Sequence, residues 1–202
     1  GNRVVMVENS TAKRLGVGLC RIKADRAPFA RPSPREVSRV MLTVPDHALA
    51  ALMEPVQAIA REAGHRILDV YAHGFSVTEK ADQSPITEAD LAAHGCILRG
   101  LAQLTPGIPI LSEEAADVGF AERSQWEWLW LVDPLDGTRE FIRRSDQFSI
   151  NIALIHRHEA VLGLILPPVD GTCYYAWRGA GAFKQVAGEA PQRIRAARVC
   201  HY

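Results

Sequence analysis

Asp133 and Asp136 stand three residues apart in the run WLWLVDPLDGTREF (128–141), where a wholly apolar strand hands two carboxylates to a turn and a helix can begin at once. Carboxylate oxygens are the donors that hard divalent cations such as Mg²⁺ take, and the free N–H groups of a helix start point at any anion placed there. Both halves of a metal and phosphate site therefore fit within one turn of chain. A tight turn would account for the DP and DG pairs without chemistry. It does not need two acids at the end of a strand of tryptophan, leucine and valine.

Two further segments place acids at element boundaries. In SPITEAD (84–90), Thr87 and Asp90 fit a capping box, a structural role that needs no catalysis. In LSEEA (111–115), Glu113 and Glu114 follow a short strand, and Ser112 could cap a short helix whose dipole favours acids in any case. Two other segments invite chemistry less well. His156 and His158 could be read as a zinc site, but they fall in a strand-to-strand turn with Glu159 rather than on a helix. GAGAF (179–183) lacks the GxGxxG spacing and follows a strand pair late in the chain, so it reads as a β-turn.

The elements that must position these residues follow from periodicity. Asp46 can cap a helix in which Leu49, Leu52, Met53, Val56, Ile59, Ala60, Ala63, Ile67 and Val70 form an apolar stripe ending near Gly74. A second helix is expected from about Thr87 to Leu104, with Leu91, Ile97, Leu98 and Leu101 facing inward and Pro106 and Gly107 ending it. Strands are expected at IPIL (108–111), FSINIALI (148–155), AVLGLIL (160–166) and TCYYAW (172–177), with a polar turn around His156 to Glu159. The fold class is mixed α/β with a partly antiparallel sheet.

Composition narrows the setting. With 202 residues, 48% apolar and 23% charged, the chain suits one sizeable core, or one core and a subdomain. No segment is apolar over the length a membrane-spanning helix needs, and the first residues carry no signal-peptide pattern. Cys20, Cys96, Cys173 and Cys200 are scattered without CxxC spacing, which fits reduced thiols in a cytoplasmic protein. The net charge of zero hides an asymmetry: residues 1–40 hold nine bases against three acids and end in a Pro-rich stretch. We read 1–40 as a flexible basic extension and 41–202 as the folded domain, with Met41 a suitable natural start. An arm for nucleic acid or a membrane surface is the functional alternative, but no nucleic-acid partner is expected.

The order TEAD, then SEE, then DPLDGTREF resembles the inositol monophosphatase superfamily of Mg²⁺-dependent phosphatases. Within it, KADQSPITEAD (80–90), ILSEEA (110–115), WLVDPLDGTREFI (130–142), FSINIALI and the GAF hairpin are most similar to the CysQ-type 3'(2'),5'-bisphosphate nucleotidases. The resemblance covers about Val44 to Lys184. It implies the inositol-monophosphatase/fructose-bisphosphatase-like fold and two or three Mg²⁺ ions. Glu113, Asp133 and the Leu135 carbonyl would hold one ion, and Asp133 would bridge to a second that Asp136 also binds. Such a pair, about 3.5 to 4 Å apart, activates water on one side of a phosphoryl group and neutralises the leaving oxygen on the other. Gly137 and Thr138 would hold the phosphate through backbone N–H groups, with glycine leaving room for its close approach. Thr138 paired with Asp90 would orient the nucleophilic water.

The implied reaction removes the 3'-phosphate of adenosine 3',5'-bisphosphate, giving AMP and phosphate, with no covalent phosphoenzyme. The implied partner is thus a small phosphorylated substrate, a nucleoside bisphosphate; self-association is left open, as is peripheral attachment to the inner membrane. The alternatives are a phosphatase for inositol monophosphate or another sugar phosphate, and a non-catalytic metal-binding fragment. One departure stands out. Members of the family continue with a WD motif whose aspartate completes the second metal site, and with residues that contact the nucleoside. This chain stops at RVCHY (198–202). The expectation is a domain incomplete at its C-terminus, impaired in activity and with apolar sheet surface left exposed.

Overall fold

The computed structural model describes residues 44, 46–79, 85–115 and 118–196. The basic stretch 1–40, the residues KADQS (80–84) and the cap role of the Asp46 side chain lie outside what is described.

The long apolar stripe becomes helix α1, Asp46–His73, with Leu49, Leu52, Met53, Val56, Ala60, Ala63 and Ile67 buried. Pro55 lies inside it. An interior proline costs about 3 kcal/mol, whereas each large apolar side chain buried contributes about 1.5 to 3 kcal/mol, so the stripe carries the helix through. After the hairpin of β1 (Val77–Glu79) and β2 (Pro85–Thr87) comes helix α2, Glu88–Leu104. Its inward face is Ala89, Asp90, Ala93, Ile97 and Leu101, at four-residue steps. Leu91, expected inside, is instead 54% exposed, because it falls on the opposite side of that stripe. The two helices approach closely where Gly100 meets Ile59: a Cβ on Gly100 would lie 2.7 Å from the isoleucine side chain.

The remaining elements are β3 (Ile110–Ser112), α3 (Phe120–Arg123), β4 (Trp128–Asp136), α4 (Thr138–Ile142), β5 (Ser149–His156), β6 (Glu159–Leu166), β7 (Cys173–Trp177), β8 (Gly181–Gln185) and β9 (Gln192–Ile194). β3 to β9 form one seven-stranded sheet in chain order. Only β3 and β4 pair in parallel within it; the others run antiparallel. The fold class is therefore the mixed α/β expected, with α1 and α2 packed on one face of the sheet. Trp128, Trp130 and Val132 point into that core, and the indole of Trp130 donates to Thr105 Oγ1 at 2.9 Å.

Boundaries differ from the sequence expectation in instructive ways. β3 begins at Ile110 rather than Ile108, since Pro109 has no N–H to donate; its carbonyl accepts from Trp130 instead, at 2.9 Å. The DPLD segment is no tight turn: β4 continues through it to Asp136, with a register irregularity between Asp133 and Asp136. No helix follows Ser112 either, because the chain turns, Ala115 N–H donating to the Ser112 carbonyl at 3.1 Å. The GAGAF segment is the expected hairpin turn, with Gly179 and Gly181 both at positive φ. Along the other face of the sheet Leu131, Ile165 and Tyr174 are exposed.

Candidate active site

The parallel β3–β4 pair sets the site. Ser112 stands opposite Val132, so the two strands release Glu113 and Asp133 side by side, and Glu113 N–H donates to the Val132 carbonyl at 3.1 Å. The Asp133 carboxylate turns back on its own strand, Oδ1 accepting from Leu135 N–H at 3.2 Å. Asp136, more exposed, accepts from Asn151 Nδ2 at 3.0 Å. Asn151 sits on β5 directly opposite Asp133, so one amide on the neighbouring strand serves the acid three residues along.

These acids crowd one another. Asp133 is pushed up to about 7 by burial first, then by the negative charges of Glu113 and Asp136, against the opposing N–H of Leu135. Among the described residues, no three His, Cys, Asp or Glu side chains are drawn together tightly enough to hold an ion as they stand. Burial and the neighbouring charges both favour the protonated form of Asp133, since a half-buried carboxylate without a counter-charge is costly to ionise. The donor set fits a hard divalent cation: it is all oxygen, it includes the Leu135 carbonyl beside the carboxylates, and its electrostatic strain is of the kind a cation relieves.

On the far side of the loop, Asp90 is 1% exposed on α2. Its Oδ2 accepts from both the Thr87 N–H, at 2.7 Å, and the Thr87 hydroxyl, at 2.6 Å, within a capping box. Its Oδ1 is thereby left for Thr138, whose hydroxyl lies 3.2 Å away and also 3.2 Å from the Leu135 carbonyl. Capping and contact with Thr138 thus use different oxygens of one carboxylate. Gly137, between Asp136 and α4, has φ 95°. The atom its Cβ would strike is the Gln147 carbonyl oxygen, at 2.8 Å, so the glycine requirement comes from the protein's own backbone as well as from any phosphate approaching there.

The histidine pair does not form a metal centre. The His156 ring stacks on Trp128 at 3.9 Å with its Nε2 3.5 Å from Glu127, while His158 is exposed in the hairpin turn. Two residues that the sequence reading missed bear on the site, Asn151 and His94, and Ser112, read there as a possible helix cap, instead contacts His94. The hint for Asn151 was a polar side chain in the middle of an apolar strand. For His94 it was a position one helical turn beyond Asp90. A groove of about 870 Å³ runs from Glu113 and Asp133 across the open sheet face, floored by Leu131, Ile165, Tyr174 and Phe183.

The model of the inositol monophosphatase family matches residues 49–199. The chain belongs to that family. It is 47% identical over 150 residues to the 3'(2'),5'-bisphosphate nucleotidase CysQ of Salmonella typhimurium, covering 73% of this chain and 60% of that protein. Identity to the CysQ nucleotidase of Aggregatibacter actinomycetemcomitans is 44% over 138 residues, 68% of this chain and 51% of the relative. Among solved structures, CysQ from Bacteroides thetaiotaomicron, described as a bacterial member of the family, superposes with a TM-score of 0.61 at 38% identity, over 73% of this chain and 59% of that one. The chain thus spans about half to three fifths of the length of the relatives it matches. Among the described residues no helix is long and apolar enough to cross a membrane.

Proposed function

We propose that the protein is a Mg²⁺-dependent phosphatase that removes the 3'-phosphate of adenosine 3',5'-bisphosphate. The observation that carries the reading is the placement of the Thr138 hydroxyl against the buried Asp90 carboxylate, at 3.2 Å, beside the Glu113, Asp133 and Asp136 carboxylates. Names borne by relatives at 44–47% identity point to this substrate.

Glu113, Asp133, Asp136 and the Leu135 carbonyl would hold the cations, with Asp133 shared between two. Bound there, Mg²⁺ would supply Lewis acidity and charge neutralisation to the phosphoryl group. The chain's own residues do the rest. Thr138 donates its proton to Asp90 Oδ1, a charge-assisted hydrogen bond that outcompetes the neutral Leu135 carbonyl. Its oxygen is then an acceptor for a proton of the attacking water, and Asp90 is the eventual sink for that proton. The N–H groups of Gly137 and Thr138, at the start of α4 where no intrahelical partner exists, hold the phosphate oxygens. The free thiols of Cys96 and Cys173 suit a reducing, cytoplasmic setting.

Phosphate release should be measured with Mg²⁺ on adenosine 3',5'-bisphosphate, inositol monophosphate and a sugar phosphate in parallel. The reading predicts preference for the bisphosphate and loss of turnover in Asp133→Asn. Preference for inositol monophosphate would reassign the substrate, and an active Asp133→Asn would remove the metal assignment.

A further inference from the structure

We infer that His94 is a positioning residue for the metal site: its ring holds the Ser112 hydroxyl and thereby fixes the direction in which Glu113 leaves β3. The inference rests on the reading of Glu113 as a ligand given above. Asp90 and His94 are four residues apart on α2, so they project from the same face of the helix, one turn apart. Asp90 reaches Thr138 just beyond β4, and His94 Nδ1 reaches Ser112 Oγ at the end of β3, at 2.9 Å. One rigid helix face thus spans both halves of the site.

Ser112 is 5% exposed, whereas Glu113 is exposed. Two contacts tie the segment that carries the Glu113 carboxylate to the elements on either side of it. On the sheet side the Glu113 N–H is tied to Val132, at 3.1 Å. On the helix side the preceding residue is tied to His94. The Ser112 hydroxyl caps no helix, because the chain turns at Glu113 and Glu114 instead. Removing the imidazole would leave a buried hydroxyl without this partner and loosen the helix side of the turn carrying Glu113, while its main-chain hydrogen bonds to Val132 and from Ala115 to Ser112 remain. Groups that orient metal ligands in this indirect way typically change metal affinity by about 10- to 100-fold.

The test uses the intact protein and four variants: His94→Ala, Ser112→Ala, the double variant and His94→Asn, whose amide can reproduce the contact made by Nδ1. Mn²⁺ binding is followed by electron paramagnetic resonance, and the Mg²⁺ dependence of phosphate release is measured beside it. His94→Ala and Ser112→Ala should each weaken Mn²⁺ binding by about tenfold, and the double variant should be no worse than the weaker single. His94→Asn should recover most of the loss. Ile97→Val, a buried change on the same helix, serves as a stability control and should leave Mn²⁺ affinity unaltered. Unchanged Mn²⁺ affinity in the single variants, multiplicative losses in the double, or equal weakening in Ile97→Val would each overturn the inference. Asp133→Asn separates the two levels: if it still binds Mn²⁺ tightly the metal site itself is misassigned, and if it loses Mn²⁺ while His94→Ala keeps it, only the role of His94 falls.

Discussion

Gly137 and the carbonyl of Gln147 are in contact across the mouth of the site: a Cβ at position 137 would come within 2.8 Å of that oxygen. Gly137 also holds φ at 95°, a region that side-chain-bearing residues occupy at a cost. Gly137→Ala therefore meets both strain and collision. It should lower folding stability by about 2 to 4 kcal/mol and displace the Asp136–Thr138 segment, abolishing phosphate release. Gly179 is the useful comparison, since its φ is 87° but nothing lies within 4 Å of an added Cβ. Gly179→Ala should cost only about 1 kcal/mol and leave activity intact. Urea denaturation of the two variants decides the matter, and equal losses would show that φ alone governs.

The Thr138 hydroxyl and Asp90 can be dissected by kinetics. Thr138→Val removes the hydroxyl at nearly constant volume, and should reduce kcat by about 10²- to 10⁴-fold with KM little changed. Thr138→Ser keeps the donor and should retain most of the rate. Asp90→Asn is predicted to lower kcat comparably, because Asn cannot take the proton that Thr138 relays. It should also reduce stability by about 1 kcal/mol through the capping box, whose acid arm is the 2.7 Å bond from Thr87 N–H. A variant that lost stability alone would leave Asp90 as a cap and nothing more.

The long periodic segments of this fold were legible in the sequence, because burial of one face dictates them. The stripe from Leu49 to Ile67 and the strands beginning at Trp128, Ser149 and Glu159 required only apolar spacing. Leu91 misled because the buried face of the first turns of α2 is made of Ala89, Ala93 and the polar Asp90, so a leucine on the exposed side looks like core. The chemistry-bearing acids could be found one by one, but their convergence could not be derived from periodicity. It depends on β3 lying parallel to β4, a long-range pairing that places Glu113 beside Asp133. Likewise nothing local marks Ser112 as the partner of His94 or Gln147 as the neighbour of Gly137, since both contacts cross between elements.

The loop after α4 that supplies Gln147 is tied to α1 by three contacts, all at Tyr71. Arg144 donates to the Tyr71 carbonyl at 2.7 Å and lies 4.8 Å above the Tyr71 ring, and the Tyr71 hydroxyl donates to Asp146 at 2.8 Å. Arg144 and Asp146 both adopt positive φ, at 55° and 62°, which these ties must sustain. Tyr71→Phe removes only the hydroxyl and should cost about 0.5 to 1.5 kcal/mol, with the aromatic packing on Phe141 and Phe148 kept. Arg144→Ala loses both the hydrogen bond and the cation–π contact and should cost more, about 1 to 3 kcal/mol. Thermal melts rank the two, and Tyr71→Phe costing as much as Arg144→Ala would contradict the assignment.

The raised Asp133 makes a prediction of definite sign. Its ordinary value is 3.8 and its folded value about 7, so the folded protein holds a proton that the unfolded chain has released over most of that interval. Stability from this group is therefore full below about pH 4 and declines as pH rises toward and past 7. Without divalent cation, the Tm of the unsubstituted protein should fall between about pH 4 and about pH 7 relative to that of Asp133→Asn, which has no proton to lose there. Mg²⁺ should oppose the decline at the alkaline end, because a cation competes with the proton for the same oxygens and binds best once the proton has left. Apparent Mg²⁺ affinity should for the same reason weaken below about pH 7. Scanning calorimetry across this range, with and without Mg²⁺, gives both curves; parallel profiles for the two proteins would show that burial and the neighbouring Glu113 and Asp136 do not raise Asp133.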